Sequence, residues 1–161
     1  MGMSPYLAAL RAKIGRDLVL APSVAVLVRD ADGRLLMVLN RDTGLWQTVG
    51  GVVEPDESPQ EAAVREALEE AGVAVELGAI VAVAGGPQFR LTYPNGDQVA
   101  YVSTVFDARV LGGEPRADGE ETSAVEWFML SELARADVDE FTRALLAAAI
   151  PPGGIEPPLR A

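Results

Sequence analysis

The sequence predicts an α/β sandwich in which a mixed β-sheet packs between helices. Three observations point there: strand-length apolar runs lie on both sides of one strongly capped helix, a Pro-Asn-Gly turn joins two of the later runs, and a 3.6-residue apolar period closes the domain. With 161 residues, nearly half of them hydrophobic, the chain can bury one real core. Three parts follow: an N-terminal helical segment (1–18), the domain (19–150) and a Pro/Gly-rich C-terminal tail (151–161). No repeat at a solenoid period interrupts this order.

The first helix is set by Ser4-Pro5, with Tyr6, Leu7, Leu10 and Ile14 as its apolar side and Gly15 as its stop. It has two possible uses, packing on its own domain or serving as an arm of a homodimer. Residues 24–29 and 34–40 are apolar runs around Asp30-Ala31-Asp32-Gly33, which reads as a hairpin with strands buried on both faces. Leu45-Trp46-Gln47-Thr48 leads to Gly50-Gly51, with Trp46 expected in the core and base stacking as its other use. After the central helix, residues 75–84 read as a strand closing at Gly85-Gly86-Pro87, followed by a strand at 88–93. The turn Pro94-Asn95-Gly96 then starts a long strand at 98–108, because Pro presets φ and Asn-Gly accepts the remaining geometry. Residues 112–122 form a polar, acidic loop before a short strand at 124–128. Helices at 130–134 and 139–149 finish the domain, the second with Phe141, Leu145, Leu146 and Ala149 on one stripe, and Pro151 stops it.

The segment 51–73 concentrates the chemistry. Ser58-Pro59-Gln60-Glu61 has the form of a capping box with Pro at the first helical position, and Gly72 supplies a left-handed end. Val64, Ala67, Leu68 and Ala71 are expected to form its buried side. Glu66, Glu69 and Glu70, at i, i+3 and i+4, share another sector bordered by Arg65. Like charges at this spacing cost only about 0.2–0.5 kcal/mol per pair, so a solvated face would also explain them. Gly50-Gly51 upstream and Glu57 before the cap change the balance. They let a loop fold beside the same face and add oxygens, and clustered hard oxygens suit Mg²⁺ or Mn²⁺.

These residues resemble the Nudix hydrolases, whose signature is G-x5-E-x7-R-E-U-x-E-E-x-G-U with U a bulky aliphatic residue. Gly51, Glu57, Arg65, Glu66, Glu69, Glu70 and Gly72 meet the seven fixed positions, and Val73 meets the last aliphatic one. Ala67 is small for its slot. Thr48-Val49 stands where many relatives read Leu-Pro, and Asp56 stands where they read Gly. The resemblance implies a Nudix-type α/β/α sandwich over roughly residues 19–149, and hydrolysis of a phosphoanhydride in a nucleoside diphosphate-linked compound by metal-assisted attack of water. It assigns Glu66, Glu69 and Glu70 to the metals, adds the Gly51 carbonyl, and lets Glu57 complete the site directly or through water. Arg65 becomes the orienting residue, although an i±4 salt bridge to Glu61 or Glu69 is its simpler role. The base is Glu121 or Glu120 of the acidic loop, or Glu70 itself. Pro87 lies near the place where ADP-ribose-cleaving relatives carry a marker proline.

Composition limits the alternatives. A net charge of −11 argues against bulk nucleic-acid and anionic-membrane binding, since both need basic patches. A small nucleotide-type substrate remains compatible when Mg²⁺ neutralises its phosphates. The chain has neither Cys nor His, which excludes thiolate catalysis and imidazole acid–base chemistry. Residues 1–4 lack the start of an export signal, so a cytoplasmic location is the expectation. Phe89, Tyr93, Tyr101 and Trp127 are candidates for stacking a base as well as for core packing. Two other readings are a non-catalytic nucleotide sensor and an acidic, cation-buffering protein; the complete set of box carboxylates argues against the sensor.

Overall fold

The computed structural model describes residues 4–134 and 136–150. Its centre is a mixed seven-stranded sheet of β1 (Val19–Arg29), β2 (Leu35–Asn40), β3 (Trp46–Val52), β4 (Ala74–Ala84), β5 (Arg90–Thr92), β6 (Gln98–Gly112) and β7 (Thr122–Phe128). The order across the sheet is β4-β6-β1-β3-β2-β7, and β5 pairs with the start of β6. β1 and β6 are parallel, in register from Val19 beside Val99 to Arg29 beside Arg109; the other pairs are antiparallel. Helices α1 (Pro5–Ile14), α2 (Pro59–Ala71), α3 (Leu130–Leu133) and α4 (Glu140–Ala149) complete the described residues. The expected tail at 151–161 and residues 1–3 of the N-terminal segment lie outside them.

Side chains alternate across β1 and feed two cores. Val24, Val26 and Val28 pack with Val49 and the alanines of α2, while Ala25 and Leu27 pack with Met37, Phe89 and Leu145 on the α4 side. A strand covered on both faces reads as an unbroken apolar run, which is how β1 and β2 stand out in the sequence.

The expected hairpin between them is corrected. Its turn forms, with Asp30 accepting the Asp32 and Arg34 backbone N–H groups and Gly33 at φ 78°. Yet β1 and β2 share only the pair Arg29–Leu35. They then part and β3 fills the gap, pairing with both. The wedge places the Gly50-Gly51 end of β3 beside β1, where a Cβ on Gly50 would collide with the Val24 carbonyl.

The expected buried side of α2 is also corrected. Val64 and Leu68 are exposed, at 41% and 59%, whereas Ala62, Ala63, Glu66, Ala67, Glu70 and Ala71 are buried. Four alanines let the helix approach the sheet closely, so Ala67 fits its slot because the space there is small. The two buried glutamates are tolerated because partners await them.

α1 is capped as expected, by Ser4 Oγ accepting the Leu7 N–H and by Gly15 at φ 62°. It is joined to its own domain through one side chain. Its one buried residue is Arg11, which donates to the carbonyls of Gly15, Asp17 and Gln98 at 3.2, 2.6 and 2.8 Å.

Candidate active site

The capping box fixes where α2 starts: Ser58 Oγ accepts the Glu61 N–H, and Glu61 Oε2 accepts the Ser58 N–H at 2.8 Å. Glu61 is thereby committed to the cap and leaves Arg65 to other partners. Arg65 donates to both oxygens of Glu57 at 2.6 and 3.0 Å, to Glu66 Oε1 at 2.8 Å, to Glu69 Oε2 at 3.0 Å and to the Val52 carbonyl at 3.2 Å. One guanidinium therefore joins the end of β3, the loop before the helix and the helix itself. Glu57 also accepts the Glu54 N–H at 3.0 Å, and its hydrogen bonds from Arg65 hold its carboxyl below the usual range.

Glu66 and Glu70 are almost fully buried, one turn apart, where the C-terminal half of α2 meets the sheet. Glu70 Oε2 accepts the Gly50 N–H at 3.0 Å. Burial pushes the Glu70 carboxyl up to about 8, aided by the charges of Glu66, Glu121 and Asp118 and opposed by that N–H. Burial also raises Glu66, while its hydrogen bond from Arg65 holds it back. Glu69 points outward, its side chain 58% exposed. Among the described residues no three carboxylates are already gathered as a metal cage. Arg65 holds an oxygen of Glu57, Glu66 and Glu69 instead.

The acidic loop is tied to the end of α2. Gly72, in the left-handed conformation at φ 68°, lets Arg116 lie against it, where a Cβ would meet Arg116 Cγ at 2.7 Å. Arg116 N–H donates to the Ala71 carbonyl at 2.9 Å and Thr122 Oγ1 to the Glu70 carbonyl at 2.9 Å. Asp118 Oδ1 accepts the N–H groups of Glu120, Glu121 and Thr122, and Arg41 bonds the Glu121 and Gly119 carbonyls. Glu121 is thus fixed at the mouth of β7 near Glu66 and Glu70, whose carboxyls its charge raises. Glu120 is exposed.

A cavity of about 250 Å³ opens here, lined by Arg65, Glu66, Glu69 and Glu121 together with residues of α1 and of the β5–β6 hairpin. Of the four aromatic candidates, Tyr93 and Tyr101 reach it. Phe89 and Trp127 serve the core, as does Trp46, edge-on to Phe128 at 4.8 Å. Pro87 opens an exposed 3₁₀ turn and does not line the cavity. Sequence reasoning passed over Arg11, Asp97 and Thr122. For the first the available signal was a basic residue on a largely apolar helix, shared with Lys13; the other two gave none.

A family model described as NUDIX domain matches residues 19–149. A Bacillus subtilis (strain 168) protein carrying an 8-oxo-dGTP diphosphatase name is 37% identical over 102 residues, which span 63% of this chain and 62% of that protein. An ADP-ribose pyrophosphatase of Methanocaldococcus jannaschii is 32% identical over 126 residues, 76% of this chain and 70% of its own. Among solved structures, the MutT NUDIX hydrolase from Burkholderia pseudomallei superposes with a TM-score of 0.64 at 26% identity, covering 81% of this chain and 98% of that one. The relatives' names are those of hydrolases acting on phosphorus-containing acid anhydrides. With the family model spanning most of the chain, and Arg65, Glu66 and Glu69 of the box lining one cavity, the chain belongs to the NUDIX family.

Proposed function

We propose that the protein is a divalent-cation-dependent pyrophosphohydrolase that cleaves a phosphoanhydride bond in a nucleoside diphosphate-linked compound, a nucleoside triphosphate or an ADP-ribose-like molecule. The observation that carries this reading is the pair Glu66 and Glu70, buried against their own charge beside a cavity that also holds Glu69 and Glu121. The donor set fits Mg²⁺, with Mn²⁺ as a substitute, because it offers hard oxygens only, and a dication would offset the unfavourable burial of two carboxylates. Glu66, Glu69 and Glu70 would hold the ion, with the Gly51 carbonyl as a further ligand and Glu57 completing the site. The ion, when bound, supplies positive charge to the substrate phosphates and makes water a better acid.

The chain's own residues do the rest. Arg65 fixes the carboxylates of Glu57, Glu66 and Glu69 relative to one another. Glu121 takes the proton of the attacking water at a carboxylate oxygen as the water oxygen bonds to phosphorus and the bridging P–O bond breaks. Glu121 suits that role better than Glu70, because Glu121 lines the cavity whereas Glu70 is 3% exposed and does not. A phosphate-release screen over nucleoside triphosphates, ADP-ribose, dinucleoside polyphosphates and nucleotide sugars, with and without Mg²⁺, tests the reading. Turnover of at least one class that vanishes with chelator is expected; no turnover of any class at millimolar Mg²⁺ or Mn²⁺ would sink it.

A further inference from the structure

We propose that α1 and the β5–β6 turn form a nucleobase subsite in this cavity, with Asp97 and Tyr93 contacting the base and Arg11 positioning the wall. The inference rests on the nucleotide reading above and adds to it where the base is held. Leu7 and Arg11 line the cavity from α1, which precedes the residues matched by the family model, and Tyr93, Asp97 and Tyr101 line it from the hairpin. This wall suits an uncharged flat ring. The Asp97 carboxylate repels phosphates, Leu7 is apolar, and Tyr93 leaves 41% of its surface open for stacking.

Its hydrogen-bonding capacity matches the edge of a base. Asp97 Oδ2 accepts from Asn95 Nδ2 at 2.9 Å, and Oδ1 takes part in no hydrogen bond among the described residues. The side chain is only 13% exposed, so that oxygen calls for a hydrogen-bond donor, and a base N–H can supply one. The hydroxyls of Tyr93 and Tyr101 lie 2.7 Å apart. One proton serves that bond, and the other is left to donate to an acceptor. An acceptor and a donor on the wall of one cavity can serve the N–H and the neighbouring oxygen or ring nitrogen that every common nucleobase presents.

Arg11 holds the wall in place. Its side chain is 8% exposed, spans the carbonyls of Gly15, Asp17 and Gln98, and puts Nε 3.7 Å from Asp97 Oδ2, with no hydrogen-bond partner for that buried N–H. Gln98 begins β6, so the same fork binds α1 to the strand that follows the turn.

The test compares the preferred nucleotide with tripolyphosphate, which has no base, as substrates of the full chain. Asp97→Asn removes the charged acceptor, and Leu7→Trp fills the slot from a partly exposed position without removing a hydrogen bond. Both are expected to raise KM for the nucleotide about tenfold or more with little change in kcat, while leaving tripolyphosphate kinetics at parent values. Arg11→Ala should raise KM in the same way, and Arg11→Lys should recover part of the loss. Independently of turnover, saturation-transfer NMR with guanosine and adenosine in metal-free buffer should show contact to base protons in the parent and none in Leu7→Trp. Parent-like KM in both Asp97→Asn and Leu7→Trp, or no nucleoside contact in the parent, overturns the subsite. A parent that cleaves no substrate sinks the hydrolase reading and leaves the nucleoside experiment to decide this one.

Discussion

Arg65 reaches Glu57, Glu66, Glu69 and the Val52 carbonyl at once, which a planar guanidinium can do and a single ammonium cannot. We therefore expect Arg65→Lys, although it keeps the charge, to lower kcat/KM by about 100-fold or more as the carboxylates lose their common frame. Glu69→Gln and Glu70→Gln should each reduce turnover by about 100-fold or more with circular dichroism unchanged, since a neutral amide is a weak partner for a hard cation. Parent-like rates in both would refute the proposed metal role. Glu121→Gln should lower kcat by about 10²–10⁴-fold with a smaller change in KM, and Glu120→Gln, outside the cavity, should be close to parent. If Glu121→Gln keeps its maximal rate, the base is Glu70. Helical spacing brought the box glutamates into view, but not that Glu66 and Glu70 are buried while Glu69 is exposed. Asp97 and Thr122 were not legible, because a lone polar residue carries no period, and only the placement of the β5–β6 turn and of β7 decides what each faces.

At the scale of elements, α2 shows where periodicity misleads. The apolar residues Val64 and Leu68 suggested one buried face, but the helix buries its alanines and two glutamates instead. Helix start, end and cap were readable from local chemistry; the buried face was not, because the Arg65 and Gly50 partners that make glutamate burial tolerable come from tertiary structure. Ala67→Leu should then destabilise by about 1–3 kcal/mol in urea unfolding through overpacking. Leu68→Lys should stay within about 0.5 kcal/mol, and the reverse ranking would restore the apolar-face reading. The acidic loop gives a pH-dependent test. Burial tends to raise the Asp118 carboxyl, but the N–H groups of Thr122, Glu120 and Glu121 outweigh it and hold it below the ordinary value. A pKa lowered by folding stabilises above the unfolded value of about 3.9 and ceases to do so as pH falls through the folded one. Asp118→Ala should therefore lower Tm at pH 7, and the gap from the parent should narrow as pH falls below about 3.9. A gap that stays constant would mean the carboxylate is not what holds the loop.

At the scale of the whole molecule, the proposed metal site makes a prediction about stability. Millimolar Mg²⁺ or Mn²⁺ should raise Tm by several degrees, since an ion at about 100 times its Kd adds about 2.7 kcal/mol to the folded state alone. A melting curve indifferent to both ions would count against the proposed site. The class of fold and most elements were legible because strand runs, caps and the Asn-Gly turn are local signals. The sheet order was not. Placing β3 between β1 and β2, and β6 beside β1, depends on pairings between distant residues that no local pattern encodes. That last pairing bears on how the chain is made. Every partner along β1 and β6 is eighty residues away, as Ser23 and Ser103 are where their hydroxyls meet at 2.5 Å. During synthesis at about 5–20 residues per second, β1 must wait several seconds for its neighbour, with one edge of its backbone unpaired and its α4-side face uncovered. Contacts so distant in sequence also slow refolding in vitro. The ribosome-bound intermediate is therefore the state in which this acidic chain is most exposed to aggregation, and chaperone dependence should peak at nascent lengths short of residue 109.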